Sequence, residues 1–317
     1  MEYRMTCTKA PKLNNTILGC LCALTAETIY GLSYVFTKDA TETASAFTLL
    51  GWRFFIAFLA MSFLAVFGIV KVDYRGKDLK PLLAVAIFSP VIYLMGETVG
   101  INHTTASESG VFLSCIPVAS LIASTVILHK KPRRIQVVGI LITLAGVLVT
   151  VFAVGVSSSL SMMGYSCLLL GVISYALYSV YVDKASGFTG IEITYIMILF
   201  GTIAFAALAL IEGGMNGNLS QVICLPFNDT GFLIAILYQG LASSIAAFFL
   251  ANVAIVKIGV NRTSSFIGVS TVVSILAGAL ILGESVTLPQ LIGAAVIVVG
   301  IYTANAGVEN IIREGVK

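Results

Sequence analysis

Long uncharged apolar stretches separated by short charged loops dominate the chain. Six of them, at 109–128, 136–156, 193–211, 230–256, 263–283 and 285–308, contain no Asp, Glu, Lys or Arg. Each matches the length of about 20 residues needed to cross a hydrocarbon core about 30 Å thick. Four more, near 17–37, 46–69, 80–101 and 164–182, carry single charges or lie between charged loops. Lipid offers backbone amides no hydrogen-bond partner, so segments of this kind must be helices. The pattern predicts an all-α membrane protein with ten transmembrane helices.

The pattern also repeats. A gapless shift of 154 lays 112–146 on 266–300 and aligns nine identical residues, among them Phe112 with Phe266, Gln136 with Gln290, Gly139 with Gly293 and Gly146 with Gly300. A shift of 145 lays 19–40 on 164–185 and aligns Gly19 with Gly164, Tyr30 with Tyr175 and Val35 with Val180. The expected organisation is a tail at 1–16, a five-helix repeat at 17–156, a second at 157–308 and a tail at 309–317. An odd number of crossings per unit turns the second copy upside down, so the fold class is two inverted five-helix repeats, an architecture of secondary carriers.

Basic residues set the orientation. With the amino terminus in the cytoplasm, sixteen of the eighteen Lys and Arg fall in the tails and loops on that side, leaving Lys38 outside and Arg53 within a helix. Such a bias predicts cytoplasmic termini in a cell (plasma or inner) membrane. It also tests the inversion, because the basic loops 70–80 and 128–135 correspond to 212–230 and 282–289, which have no Lys or Arg. The net charge of +3 is thus a matter of topology. The basic loops hold no nucleic-acid motif, so the expected partners are the lipid bilayer and a small-molecule solute, with no nucleic acid. The six cysteines and two histidines show no disulfide or metal spacing and no phosphate-binding loop is present, which predicts no cofactor, no metal and no built-in ATP drive.

Ionisable residues inside spans are the first functional candidates. Glu27 lies near mid-membrane, where a carboxyl costs at least about 2.5–3.5 kcal/mol to insert. Glu27, Tyr30, Tyr34 and Lys38 share a helical face, which suits a zwitterionic or aromatic solute. Glu27 is either a proton-coupling group or a neutral carboxyl tied to a neighbouring helix. Arg53, Glu97 and Glu108 cluster near the outer face, with Arg53 expected to pair with either carboxylate, as an outer gate or as a static bridge. Tyr93, Tyr175, Tyr178, Ser244, Phe248 and Asn252 are further candidates for the cavity wall, with interhelical packing as the alternative for each. Trp52 reads as an interface anchor. The glycines of the fifth and tenth helices read as close-packing positions with a dimer face as one use, so dimer and monomer both stand. Pro90 and Pro117 interrupt helices, but Pro117 has no counterpart in the repeat, which argues against a symmetric hinge.

Tyr30-Gly31-x-x-Tyr34-x-Phe36-x-Lys38, Pro117-Val118, and Leu282-Gly283-Glu284 with Thr287, Gln290 and Gly293 together resemble the EamA family of the drug/metabolite transporter superfamily. The resemblance runs from residue 17 to about 307. Two departures are His129-Lys130-Lys131 where the second copy has Gly283-Glu284-Ser285, and Thr271 where a proline matching Pro117 would stand. The resemblance implies a ten-helix exporter or permease for amino acids or other small metabolites. The solute site would lie between helices 1, 3 and 4 and helices 6, 8 and 9. The rival reading is a non-transporting multi-pass receptor or enzyme subunit, for which the chain offers neither a soluble domain nor a catalytic cluster.

Overall fold

The computed structural model describes residues 13–104, 106–153, 161–283 and 285–305, without the side chains of Leu13, Asn14, Tyr34, Ala106, Ser107 and Glu108. Among the described residues, ten helices are long and apolar enough to cross a membrane: span 1 (Asn15–Ala40), span 2 (Ala46–Val66), span 3 (Lys80–Asn102), span 4 (Ser109–Ile127), span 5 (Arg134–Ala153), span 6 (Met162–Lys184), span 7 (Gly190–Met215), span 8 (Thr230–Ile258), span 9 (Val260–Ile281) and span 10 (Leu288–Asn305). Among the described residues there is no strand. Large apolar side chains such as Phe63, Leu141, Ile203, Leu280 and Val299 are exposed on the outer faces of the spans, where lipid would cover them. The protein is an all-α, multi-pass membrane protein.

The spans associate in a pattern that survives exchanging each span for the one five places on. Span 1 packs against spans 8 and 9, and span 6 packs against spans 3 and 4. Spans 2 and 7 pair, as do spans 5 and 10. Two triplets (1, 8, 9 and 6, 3, 4) are therefore set within a framework of two pairs. The 5–10 pair depends on glycine. A Cβ at Gly146 would lie 2.7 Å from the Ile297 amide nitrogen, and one at Gly293 2.7 Å from the Gly146 carbonyl oxygen. Gly139 and Gly300 similarly meet Ala304 and Thr143. These four glycines are used up inside the chain, so they do not form the free dimer face that their spacing left open.

Interruptions recur in matching spans. Span 3 carries a wide-turn segment at Ile87–Ile92 around Pro90, and span 8 carries one at Tyr238–Ala247 without a proline. Span 4 breaks between Ser114 and Ile116, just ahead of Pro117, and span 9 breaks between Ser265 and Gly268. The lack of a proline opposite Pro117 thus does not remove the break, and Ser264, Ser265 and Gly268 flank it, serine and glycine being residues at which helices kink without a pyrrolidine ring.

The charged end of the bundle is tied down by two ion pairs. Lys77 meets Glu192 at 2.7 Å and Lys130 meets Asp183 at 2.7 Å. Glu192 is 3 % exposed and closes a capping box with Thr189 at the start of span 7. It also accepts the Asp73 amide at 3.1 Å, while Tyr74 donates to its carbonyl at 2.9 Å. Burial and the facing Glu192 carboxylate push the Tyr74 hydroxyl well above the usual phenol range, so it stays a donor. The opposite end holds a helix the hydropathy pattern read as loop. Leu219–Asn228 lies between spans 7 and 8, and its Val222 carbonyl accepts the Trp52 indole N–H at 2.8 Å. Trp52 therefore anchors a helix of its own chain.

Replacing Gly146 with Ala should destabilise the folded protein by about 1–3 kcal/mol, since the added carbon strikes backbone on span 10. Gly187→Ala, where a Cβ meets nothing within 4 Å, should leave it unchanged. Thermal unfolding in one detergent compares the two.

Candidate functional site

Between the triplets lies a cavity of about 650 Å³. Its wall takes Glu27, Tyr30 and Thr37 from span 1, Arg53 from span 2, Ser89, Tyr93 and Glu97 from span 3, Tyr175 and Tyr178 from span 6, Gln239 and Phe248 from span 8, and Ser270 and Ser274 from span 9. Thr41, Ala46, Ile101 and Asn102, at the ends of spans 1 and 3 and the start of span 2, form its mouth, away from the charged end. Its deep end reaches Tyr178 and Ala251, six and seven residues from the last residues of spans 6 and 8.

Polar chemistry concentrates here. Glu27 is 6 % exposed and has the Ser270 hydroxyl beside it. Tyr93 donates its hydroxyl to Glu97 Oε1 at 2.9 Å. Rings stand at steep angles to one another: Tyr93 to Tyr175 at 5.2 Å and 70°, and Tyr175 to Tyr178 at 5.4 Å and 67°. Edge-to-face pairs of this kind present both π faces and hydroxyl edges to the space between them.

Arg53 departs from expectation as far as Glu97 is concerned, the side chain of Glu108 lying outside the described residues. It forms no ion pair with Glu97; its Nε donates to Ser244 Oγ at 2.7 Å, and its guanidinium lies 5.5 Å from the Phe54 ring centre and 5.9 Å from that of Phe248. A guanidinium is planar and weakly hydrated, so two aromatic faces and a hydroxyl can hold it without a carboxylate. No described side chain takes its terminal nitrogens.

The candidates divide accordingly. Glu27, Tyr30, Tyr93, Glu97, Tyr175, Tyr178, Phe248 and Arg53 share the cavity. Ser244 and Asn252 are wholly buried behind its wall, Ser244 holding Arg53 and Asn252 bonded to Tyr178 and Thr194. Lys38 is exposed near the end of span 1 and does not line the cavity. The side chains of Tyr34 and Glu108, and the whole of Glu284, lie outside the described residues. Gln239, Thr37 and Ser89 line the cavity and had no signal in the sequence beyond being polar in an apolar span. Gln239 is 2 % exposed, donates from Nε2 to Thr37, and leaves its own Oε1 without a hydrogen-bond partner.

Ten spans around a large cavity lined by carboxyls, a guanidinium and aromatic rings have the form of a membrane transporter, and the comparisons agree. The EamA-like transporter family matches the chain twice, over residues 17–152 and 162–306, and the chain belongs to that family. An uncharacterised transporter of Bacillus subtilis, YcxC, is 34 % identical over 91 % of this chain and 93 % of its own length. An uncharacterised inner membrane transporter of Escherichia coli K12, YedA, is 26 % identical over 92 % of this chain and 91 % of its own. A solved crystal structure superposes with a TM-score of 0.69 at 20 % identity, covering 90 % of this chain and 98 % of that one, a likeness of fold alone.

Single cysteines in a background without the native ones check this division of residues. A cysteine at Thr98 or Asn102, which line the cavity, should react with a water-soluble maleimide. One at Ser244, 0 % exposed, should stay unreacted in the folded protein.

Proposed function

We propose that the protein is a secondary carrier that exports small polar or amphipathic metabolites, amino acids among them, by alternating access. The observation that carries this reading is the cavity itself, which gathers two carboxyls, a guanidinium and five aromatic rings into a bundle that is otherwise apolar. Glu97 keeps one oxygen free of described partners, and Arg53 keeps its terminal nitrogens, so a solute with an ammonium and a carboxylate finds opposite charges for both. The rings of Tyr30, Tyr93, Tyr175, Tyr178 and Phe248 suit its apolar body and, by cation–π attraction, its ammonium. Glu27 is assigned proton coupling, as an ionisable carboxyl at mid-membrane on the wall of a cavity that has a mouth. Lys38 and Glu108 are assigned to the rim of the mouth.

The same reading makes residues 17–156 and 157–308 two inverted repeats. Supporting it are the double family match, the exchangeable packing of spans, the recurring breaks and the absence of Lys and Arg from 212–230 and 282–289. Both termini are assigned to the cytoplasm and the chain to the cell membrane, on the sixteen basic residues of that side and the described location of YedA.

Purified protein in liposomes loaded with amino acids, amines, nucleosides or sugars should show saturable counterflow with one class of solute. Absence of counterflow with every class would reject the carrier reading. Glu27→Gln should abolish the dependence of net transport on a proton gradient while counterflow persists. Unchanged proton dependence would remove Glu27 from that role.

A further inference from the structure

The two triplets that flank the cavity meet mainly toward the charged end. There Val260–Ser265 of span 9 packs on Ile116–Ile127 of span 4, and Phe248–Ile258 of span 8 packs on span 6. Both helices of the first contact carry small buried residues, Ser120 and Ser124 on one and Thr263, Ser264 and Ser265 on the other. Their hydroxyls do not hold the triplets together. Thr263 donates to Gly259 at 3.0 Å, Ser264 to Asn261 at 3.3 Å and Ser265 to Arg262 at 2.7 Å, all within their own helix. Ser120 Oγ has no partner among the described residues.

Among the described side chains, one hydrogen bond crosses this seam. Tyr178 of span 6 donates its hydroxyl to Asn252 Oδ1 of span 8 at 2.7 Å. Asn252 is completely buried, and its amide is fixed from the far side by Thr194 Oγ1 at 3.1 Å. Tyr178, by contrast, is part of the cavity wall. One side chain thus faces the solute space with part of its surface and reaches across the closed end with its hydroxyl.

We propose that the Tyr178–Asn252 hydrogen bond is the gate that holds the cavity shut at the charged end, and that Asn252 acts as a gate residue and not as a solute ligand. Tyr178 is a positioning residue that links occupancy of the cavity to that gate. Among the described side chains no other hydrogen bond crosses the seam, so the closed state rests on this directional contact and on dry packing. The proposal rests on the alternating-access reading and adds the place where access is interrupted.

Spin labels test it without any solute. One pair, at exposed Lys131 beyond span 4 and exposed Val256 on span 8, spans the charged end. A second pair, at exposed Glu42 beyond span 1 and exposed His103 beyond span 3, spans the mouth. Tyr178→Phe keeps the ring and removes only the hydroxyl, and Asn252→Ala removes the partner. Both should shift the closed-to-open ratio about tenfold, as expected for loss of one buried hydrogen bond. The shift should appear as a longer 131–256 distance together with a shorter 42–103 distance. A merely structural bond would lower the melting temperature and leave both distance distributions as in the unaltered protein. That outcome overturns the proposal, as does a longer 131–256 distance with no reciprocal change at the mouth. If these distances shift as expected while no solute class shows counterflow, the carrier reading fails and the gate stands as a conformational switch of another kind.

Discussion

A carboxyl group held midway through an apolar slab constrains everything built around it. Glu27 sits in a helix whose neighbours are Ala23, Ala26 and Val35, and it is 6 % exposed. An ionisable group at that depth persists where water or polar side chains reach it, because hydrocarbon offers it nothing. The cavity meets that need. Its hydroxyls, carboxyls and amides come from five of the ten spans, and the tyrosines supply aromatic surface with a polar edge, which is compatible with both a wet space and a close-packed bundle.

The framework around the cavity follows from the same medium. Between helices in lipid there is no hydrophobic gain from association, so close backbone approach and dispersion must hold the bundle. The 5–10 pair achieves this with four glycines interleaved against backbone. The 2–7 pair uses aromatic stacking of Phe54 on Phe205 at 5.4 Å and the Thr202 hydroxyl donated to the Phe54 carbonyl at 2.9 Å. Ionic ties appear at the charged end, where Glu192 and Asp183 meet lysines near water. The triplets are joined more sparingly than either framework pair.

Much of this was legible in the amino-acid order. Hydropathy marks all ten spans because the bilayer imposes a length and a composition at once. Glu27, Tyr30, Glu97 and Tyr178 stand out since polar groups are costly where they lie. The partner of Arg53 was not legible. A carboxylate is the obvious choice from charge, yet among the described side chains Ser244 and two phenyl rings hold the guanidinium, and which helices face each other is not written in any local pattern. Asn252 looked like a ligand on its helical stripe, and only packing reveals that it lies behind the wall. The helix Leu219–Asn228 was hidden by its length, ten residues being too few to register as a span. The break in span 9 lacks the proline that announces the one in span 4.

The central claim is that two oppositely oriented five-span units enclose one shared cavity. Side-specific labelling tests it most directly, with single cysteines placed in turn at Lys131 and Val286 and an impermeant reagent applied to right-side-out and inside-out vesicles. The account predicts that Lys131→Cys reacts only in inside-out vesicles and Val286→Cys only in right-side-out ones. Reaction of both from the same side would contradict it.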